Sequence, residues 1–266
     1  MGILNVIHQF ERMGAELRIE ELNMRLRENR DSDRQYSLDV KEDRFVLSLR
    51  PDAEVEFSVP HFVQKQRHLL LHVATADQKE KFLCGHDERH WFAAGLPRNR
   101  TIRTVEDAME NLKPQPVRLL QRNDHTKDRN RRKNTTFIRQ GEWFFVPVEN
   151  LQPSKLLIRS WEPISRPGGK PHMVEELYRS AGTMMLVNRM GKMLRPEEYE
   201  KAVSQNPNSQ VARDKSWVYR RVGADVFARG RVRHVDHATI TLQGWHQIHM
   251  NEESAEVRGK ALVFLD

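Results

Sequence analysis

A single cysteine, Cys84, stands in 266 residues, so no intramolecular disulfide framework is open to the chain. Long apolar runs are missing too. Stretches such as Leu69-Leu70-Leu71-His72-Val73-Ala74 fall far short of the roughly 20 residues of a membrane-crossing helix. The opening residues, Met1-Gly2-Ile3-Leu4-Asn5-Val6, lack a secretory-signal pattern, and Val6 stands where myristoylation calls for Ser or Thr. These absences predict a soluble protein of a reducing cytoplasm, with no membrane partner.

Complete catalytic and metal motifs are absent as well. Gly168-Gly169-Lys170 is followed by Pro171, and a phosphate loop needs Ser or Thr there. His86 and His90 have the spacing of a metalloprotease helix. Asp87, however, stands where that motif requires glutamate, and the flanking residues read as strands. There is no zinc-finger, RRM or KH pattern, and no repeat at a fixed period.

What the chain does have is charge. Lys and Arg number 44 against 37 Asp and Glu, a net +7. From Arg122 to Arg139 seven basic residues face two aspartates, so this segment holds +5 and the remainder only +2. The tract contains Arg129, Arg131, Arg132 and Lys133 and almost no apolar residue up to 136. It reads as an exposed arm or linker that would neutralise phosphates and release counterions.

Periodicity sets the expected elements. Ile3, Val6, Ile7 and Phe10 predict an N-terminal helix over 3–13 stopped by Gly14, and the charged stretch 15–30 is expected to continue as a solvated helix. Residues 36–59 alternate as a strand meander, with further strands at 68–74, 80–85 and 90–96. Thr104 with Asp107 three residues on is a capping box for a helix to Leu112. After the basic tract come strands at 142–146 and 155–161, a short helix at 172–180, a strand at 183–188, a helix from Pro196, and strands again over 217–250. The order predicts an α+β fold, antiparallel and β-rich, with a few short helices and an N-terminal helix. Its parts are an N-terminal α+β part (1–121), a basic linker or loop (122–139) and a C-terminal β-rich part (140–266).

Two groups of residues carry chemistry. Along Val226 to Leu242, strand alternation puts Arg229, Arg231 and Arg233 on one face, with a turn over Val235-Asp236-His237-Ala238. Three arginines in a row suit phosphate, because the guanidinium fork gives two parallel hydrogen bonds. The plainer role is pairing with carboxylates on a neighbouring strand. The second group is histidine: His234, His237, His246 and His249 near the C-terminus, and His86 and His90 beside Cys84. Cys84, His86 and His90 are candidate zinc ligands. His86, His90, His234 and His237 are candidate acid–base residues for RNA cleavage. Strand alternation would place His246 and His249 on opposite faces. Cys84 itself, in a strand, has the default of a buried inert thiol.

The leading expectation is a nucleic-acid-associated protein, a binding or accessory subunit of a larger complex that contacts the phosphate backbone of DNA or RNA. One alternative is a histidine-dependent nuclease or phosphoesterase, with or without zinc. The other is a protein-interaction scaffold that binds no nucleic acid.

Overall fold

A computed structural model describes residues 2–22, 35–124, 126–166, 169–180 and 182–253. The chain divides into two units. Of the described residues, 2–134 and 250–253 form the first and 135–249 the second. The division falls inside the basic stretch 122–139. The return of residues 250–253 to the first unit is a feature no local pattern signalled.

In the first unit, helix α1 (Ile3–Met13) buries Val6, Phe10 and Met13. It stops at Gly14, whose φ of 82° lets its N–H reach the carbonyls of Glu11 and Phe10. Strands β1 (Leu17–Glu21), β2 (Tyr36–Lys41) and β3 (Arg44–Leu49) make a sheet ordered β1-β3-β2, with β1 parallel to β3. The helix expected over 15–30 is therefore replaced by a strand at 17–21. Leu17 is buried and pairs with Phe45, and this long-range pairing overrides local helical spacing. Residues 23–30 of that expected helix lie outside the described residues.

A second sheet, β4 (Glu56–Val63), β5 (His68–Ala74), β6 (Lys79–Asp87) and β7 (His90–Gly95), is antiparallel throughout. Leu69 and Leu71 join Phe10, Phe45, Phe82 and Trp91 in one core cluster. Leu70 joins Leu83, Ile102, Val105 and Ala108 in another. A sheet covered on both faces explains why the Leu69-Leu70-Leu71 run does not alternate with polar residues.

Helix α2 (Val105–Leu112) covers the second of these faces. Thr104 Oγ1 accepts from the Asp107 N–H at 3.0 Å, and the Asp107 carboxylate accepts from the N–H of Thr104 (3.0 Å) and Arg103 (2.9 Å). Those donors hold the Asp107 carboxyl below its ordinary range. Thr104→Ala is expected to cost about 1 kcal/mol in thermal or denaturant unfolding. Because the folded pKa of Asp107 is depressed, its contribution is present above the unfolded carboxylate range and is lost as pH falls through the folded value. The Tm gap between wild type and Asp107→Asn should therefore close on acidification; a gap that widens would sink this account. Helix α2 ends at Leu112, ahead of Pro114, and the chain then turns helical again. Pro116 sits in the first turn of a further helix, α3 (Gln115–Leu120), where its missing N–H costs nothing.

The second unit holds β8 (Ile138–Gln140), β9 (Trp143–Pro147), β10 (Ile158–Ile164), β11 (His172–Arg179), β12 (Thr183–Val187), β13 (Met193–Leu194), α4 (Pro196–Gln205), α5 (Gln210–Arg213), β14 (Val218–Val222), β15 (Val226–Arg233) and β16 (Ile240–Met250). Its main sheet is ordered β10-β11-β15-β16-β9-β8, and a smaller one β13-β12-β14. The short helix expected at 172–180 is the strand β11. Val174, Leu177 and Tyr178 have helical spacing, and the ladder is irregular there. Between Val174 and Glu176 the register against β15 shifts by one, with the extra residue in β15, and along β11 the buried positions step by three from Val174 to Leu177. That step gives the strand the period of a helix.

The class is α+β, with antiparallel sheets and short helices. Among the described residues no helix is long and apolar enough to cross a membrane.

Candidate metal centre

Strand β11 pairs with β15 so that Met173 faces Arg233 and Val174 faces Val232. One step further in the same register sets His172 opposite His234. Both then extend the stripe of Val174 and Val232, each fully buried. Their rings stack with centroids 4.0 Å apart at an interplanar angle of 21°. The connection from β15 to β16 returns His237 to the same place, its ring 4.7 Å from that of His234 and 5.7 Å from that of His172. The candidate ligand nitrogens of the three histidines all lie within 4.8 Å of one another. Zn–N bonds of 2.0–2.1 Å in a tetrahedron need nitrogens about 3.3 Å apart with each lone pair in its ring plane, so the stacked rings would have to turn about their side-chain torsions to close on one ion.

The surrounding chain is built to hold this cluster. Gly141 and Glu142 form the two-residue turn between Gln140 and Trp143, with Gly141 at φ 57°, the first position that a II′ turn reserves for glycine. A Cβ at Gly141 would lie 2.9 Å from His237 Nε2 and 3.5 Å from His172 Nε2. The missing side chain therefore opens the space onto which two imidazole nitrogens face. Gln140 Nε2 donates to the carbonyls of Ala238 (2.6 Å) and Val232 (3.3 Å), clamping the segment that carries His234 and His237. The Asp236 N–H donates to His234 Nδ1 at 3.1 Å. Two ion pairs border the group, Lys170 with Asp236 at 2.8 Å and Arg166 with Glu142 at 3.1 Å.

His172 is 1% exposed, and neither of its ring nitrogens has a hydrogen-bond partner in the protein. Trp143 Nε1 and Gln140 Oε1, likewise buried, are also unpartnered. Each such atom costs about 1–3 kcal/mol unless a ligand, ion or water satisfies it. Burial, reinforced by His234, His237 and Arg166, pushes the His172 pKa down to about 3. His234 is lowered by burial and then by His237. A neutral imidazole binds a metal through a free lone pair, which His172 offers; His234 already accepts from Asp236 and bonds the Lys170 backbone, so metal binding there would displace one of those bonds.

The other candidate residues are placed as follows. Cys84 is fully buried, and burial pushes its thiol well above the ordinary range. His86 faces Trp91 across the β6–β7 hairpin, while His90 faces Asp87. Alternation therefore puts His90 on the opposite face from Cys84 and His86, so these three do not converge. Burial lowers the pKa of His86, whose ring packs edge-on against Trp91. His86 and His90 belong to the first unit, His234 and His237 to the second. His246 and His249 lie on opposite faces of β16, and burial lowers the pKa of each.

The strand arginines are largely spoken for. Arg229 pairs with Glu176 and lies over Trp245, and Arg231 pairs with Glu175 at 2.9 Å. Gly230, at φ 82°, leaves room for the Glu175 carboxylate, which a Cβ would meet at 2.7 Å. Arg233 instead lies over Trp161. In the basic tract, Arg129 pairs with Glu110, Arg131 with Asp128, and Arg132 with Asp87 and Glu88; Lys133 is exposed.

His172 was invisible to sequence reasoning because the segment that starts with it imitated a helix. Read as a strand paired with 226–233, it falls opposite His234 at once. No family model, curated protein or solved structure matches this chain.

Proposed function

We propose that the second unit is a zinc-type metal centre held by His172, His234 and His237, and that it performs hydrolysis of a phosphoester. The observation that carries this reading is the convergence of three imidazoles around His172, whose two buried nitrogens have no partner in the protein. Three protein ligands with a fourth position open are the pattern of catalytic zinc sites, whereas structural sites close all four. All three donors here are neutral, so the ion would keep its full charge, which lowers the pKa of a bound water and favours an anionic substrate. Arg166 and Lys170 stand beside the cluster, each paired with a carboxylate, Glu142 and Asp236. Gln140 clamps the segment that carries two of the ligands, and Gly141 leaves room beside their nitrogens.

The cytoplasm is the compartment this reading favours, since the one cysteine is buried and needs no oxidising environment.

Metal content measured by mass spectrometry on protein purified without chelator tests the proposal, together with hydrolysis of bis(p-nitrophenyl) phosphate before and after chelation and zinc return. One ion per chain is expected, lost in His234→Ala, with turnover that follows the metal. Metal-free protein that neither takes up zinc nor gains thermal stability from it would overturn the assignment. A bound ion without turnover would overturn the hydrolytic part alone.

A further inference from the structure

We propose that the outer face of β10, β11 and β15 binds single-stranded nucleic acid, with Trp161 as the stacking platform and Arg233 and Arg231 as phosphate contacts. This inference does not depend on the metal centre.

Trp161 is the one exposed tryptophan of five, at 36%, while Trp143 and Trp245 are buried at 0% and 6%. It also sits at φ 54°, in the left-handed region that a bulky side chain rarely adopts. The strand is otherwise regular: Ser160 pairs with Glu176 and Glu162 with Val174 in one unbroken register. A strained residue whose aromatic ring stays partly exposed beneath two guanidinium groups gains little for the core, and such strain gathers at functional positions.

The guanidinium carbons of Arg233 and Arg231 lie 4.5 and 5.3 Å from the indole centroid. Two residues apart on a strand, the arginines are spaced by about 6.5–7 Å, comparable to successive phosphates of an extended strand. Glu175 neutralises Arg231. Among the described residues no carboxylate lies within ion-pair distance of Arg233, although Glu175 also acts on it electrostatically, so the two arginines outnumber the one carboxylate. The patch therefore pairs an aromatic face with surplus positive charge, the combination that holds an unpaired strand by stacking and backbone contact. A duplex hides its base faces and leaves the indole without a stacking partner.

The test is fluorescence anisotropy with labelled 12-nucleotide single-stranded RNA and DNA, the matching duplex and a mononucleotide, each at two salt concentrations. Tryptophan quenching is followed in parallel, since Trp161 is the exposed reporter. Single strands should bind more tightly than the duplex and quench the emission. Trp161→Ala should weaken binding roughly 5- to 100-fold and abolish the quench, while Trp161→Phe keeps most of the affinity. Arg233→Gln should weaken binding across all sequences and reduce the salt slope by about one. Circular dichroism confirms that each variant folds. Equal affinity for duplex and single strand, binding of the mononucleotide alone, unchanged binding in folded Trp161→Ala, or no binding at all would each overturn the proposal. The last outcome would favour a protein partner.

Discussion

His172→Leu should stabilise the metal-free protein and abolish its response to zinc. The two halves of this prediction pull in opposite directions, and that is its strength. In the metal-free state the imidazole is 1% exposed with two unpartnered nitrogens. Leucine has a similar size and no polar atom, so removing the unmet hydrogen-bonding demand should contribute about 1–3 kcal/mol. Zinc binding, by contrast, adds stability as RT ln(1 + [L]/Kd), about 4 kcal/mol at a thousandfold excess over Kd. Wild type should therefore start lower and finish higher when both proteins are titrated with zinc in a thermal melt. If His172 were simply a core residue, leucine would still stabilise, but the wild type would show no zinc-dependent rise. If the variant kept the rise, His172 would not be a ligand.

The history of that residue shows where the sequence is legible and where it stops. Self-contained local signals are legible in the sequence. The capping box at Thr104 and Asp107, the left-handed stop at Gly14 and the β5 strand each depend on a few neighbouring side chains. The errors arose where distant pairing decided. Residues 17–21 joined β3 in parallel, and 172–179 became a strand although their buried positions step by three beside a one-residue register shift. The same shift explains the arginine row. Strict alternation put Arg229, Arg231 and Arg233 together, but the irregular ladder and the missing Cβ at Gly230 bring Glu175 and Glu176 up against two of them. Of the candidate site, His234 and His237 were visible as an unusual local density of imidazole. Their third partner lies 62 residues earlier, and nothing local marks it.

The largest effect of a change that removes no ligand is expected at Gly141. Alanine there meets two separate penalties. The backbone at φ 57° is strained for any residue with a Cβ, by roughly 1–2 kcal/mol. The new methyl would also stand 2.9 Å from His237 Nε2 and 3.5 Å from His172 Nε2, within the space between the ligands. Gly223 separates the two contributions. It has a φ of 72° but nothing within 4 Å of a built Cβ, so Gly223→Ala carries the strain alone. Without metal Gly141→Ala should lose more stability than Gly223→Ala, because the crowding of His237 adds to the strain. Only Gly141→Ala should lose zinc, with affinity falling at least tenfold in a calorimetric or competition titration. Equal zinc affinity in the two variants would mean that the glycine serves only the turn, and that the imidazoles do not close around an ion beside it. A loss confined to Gly141→Ala would tie the II′ turn to the chemistry: the hairpin would use glycine because the metal, not merely the backbone, needs the room.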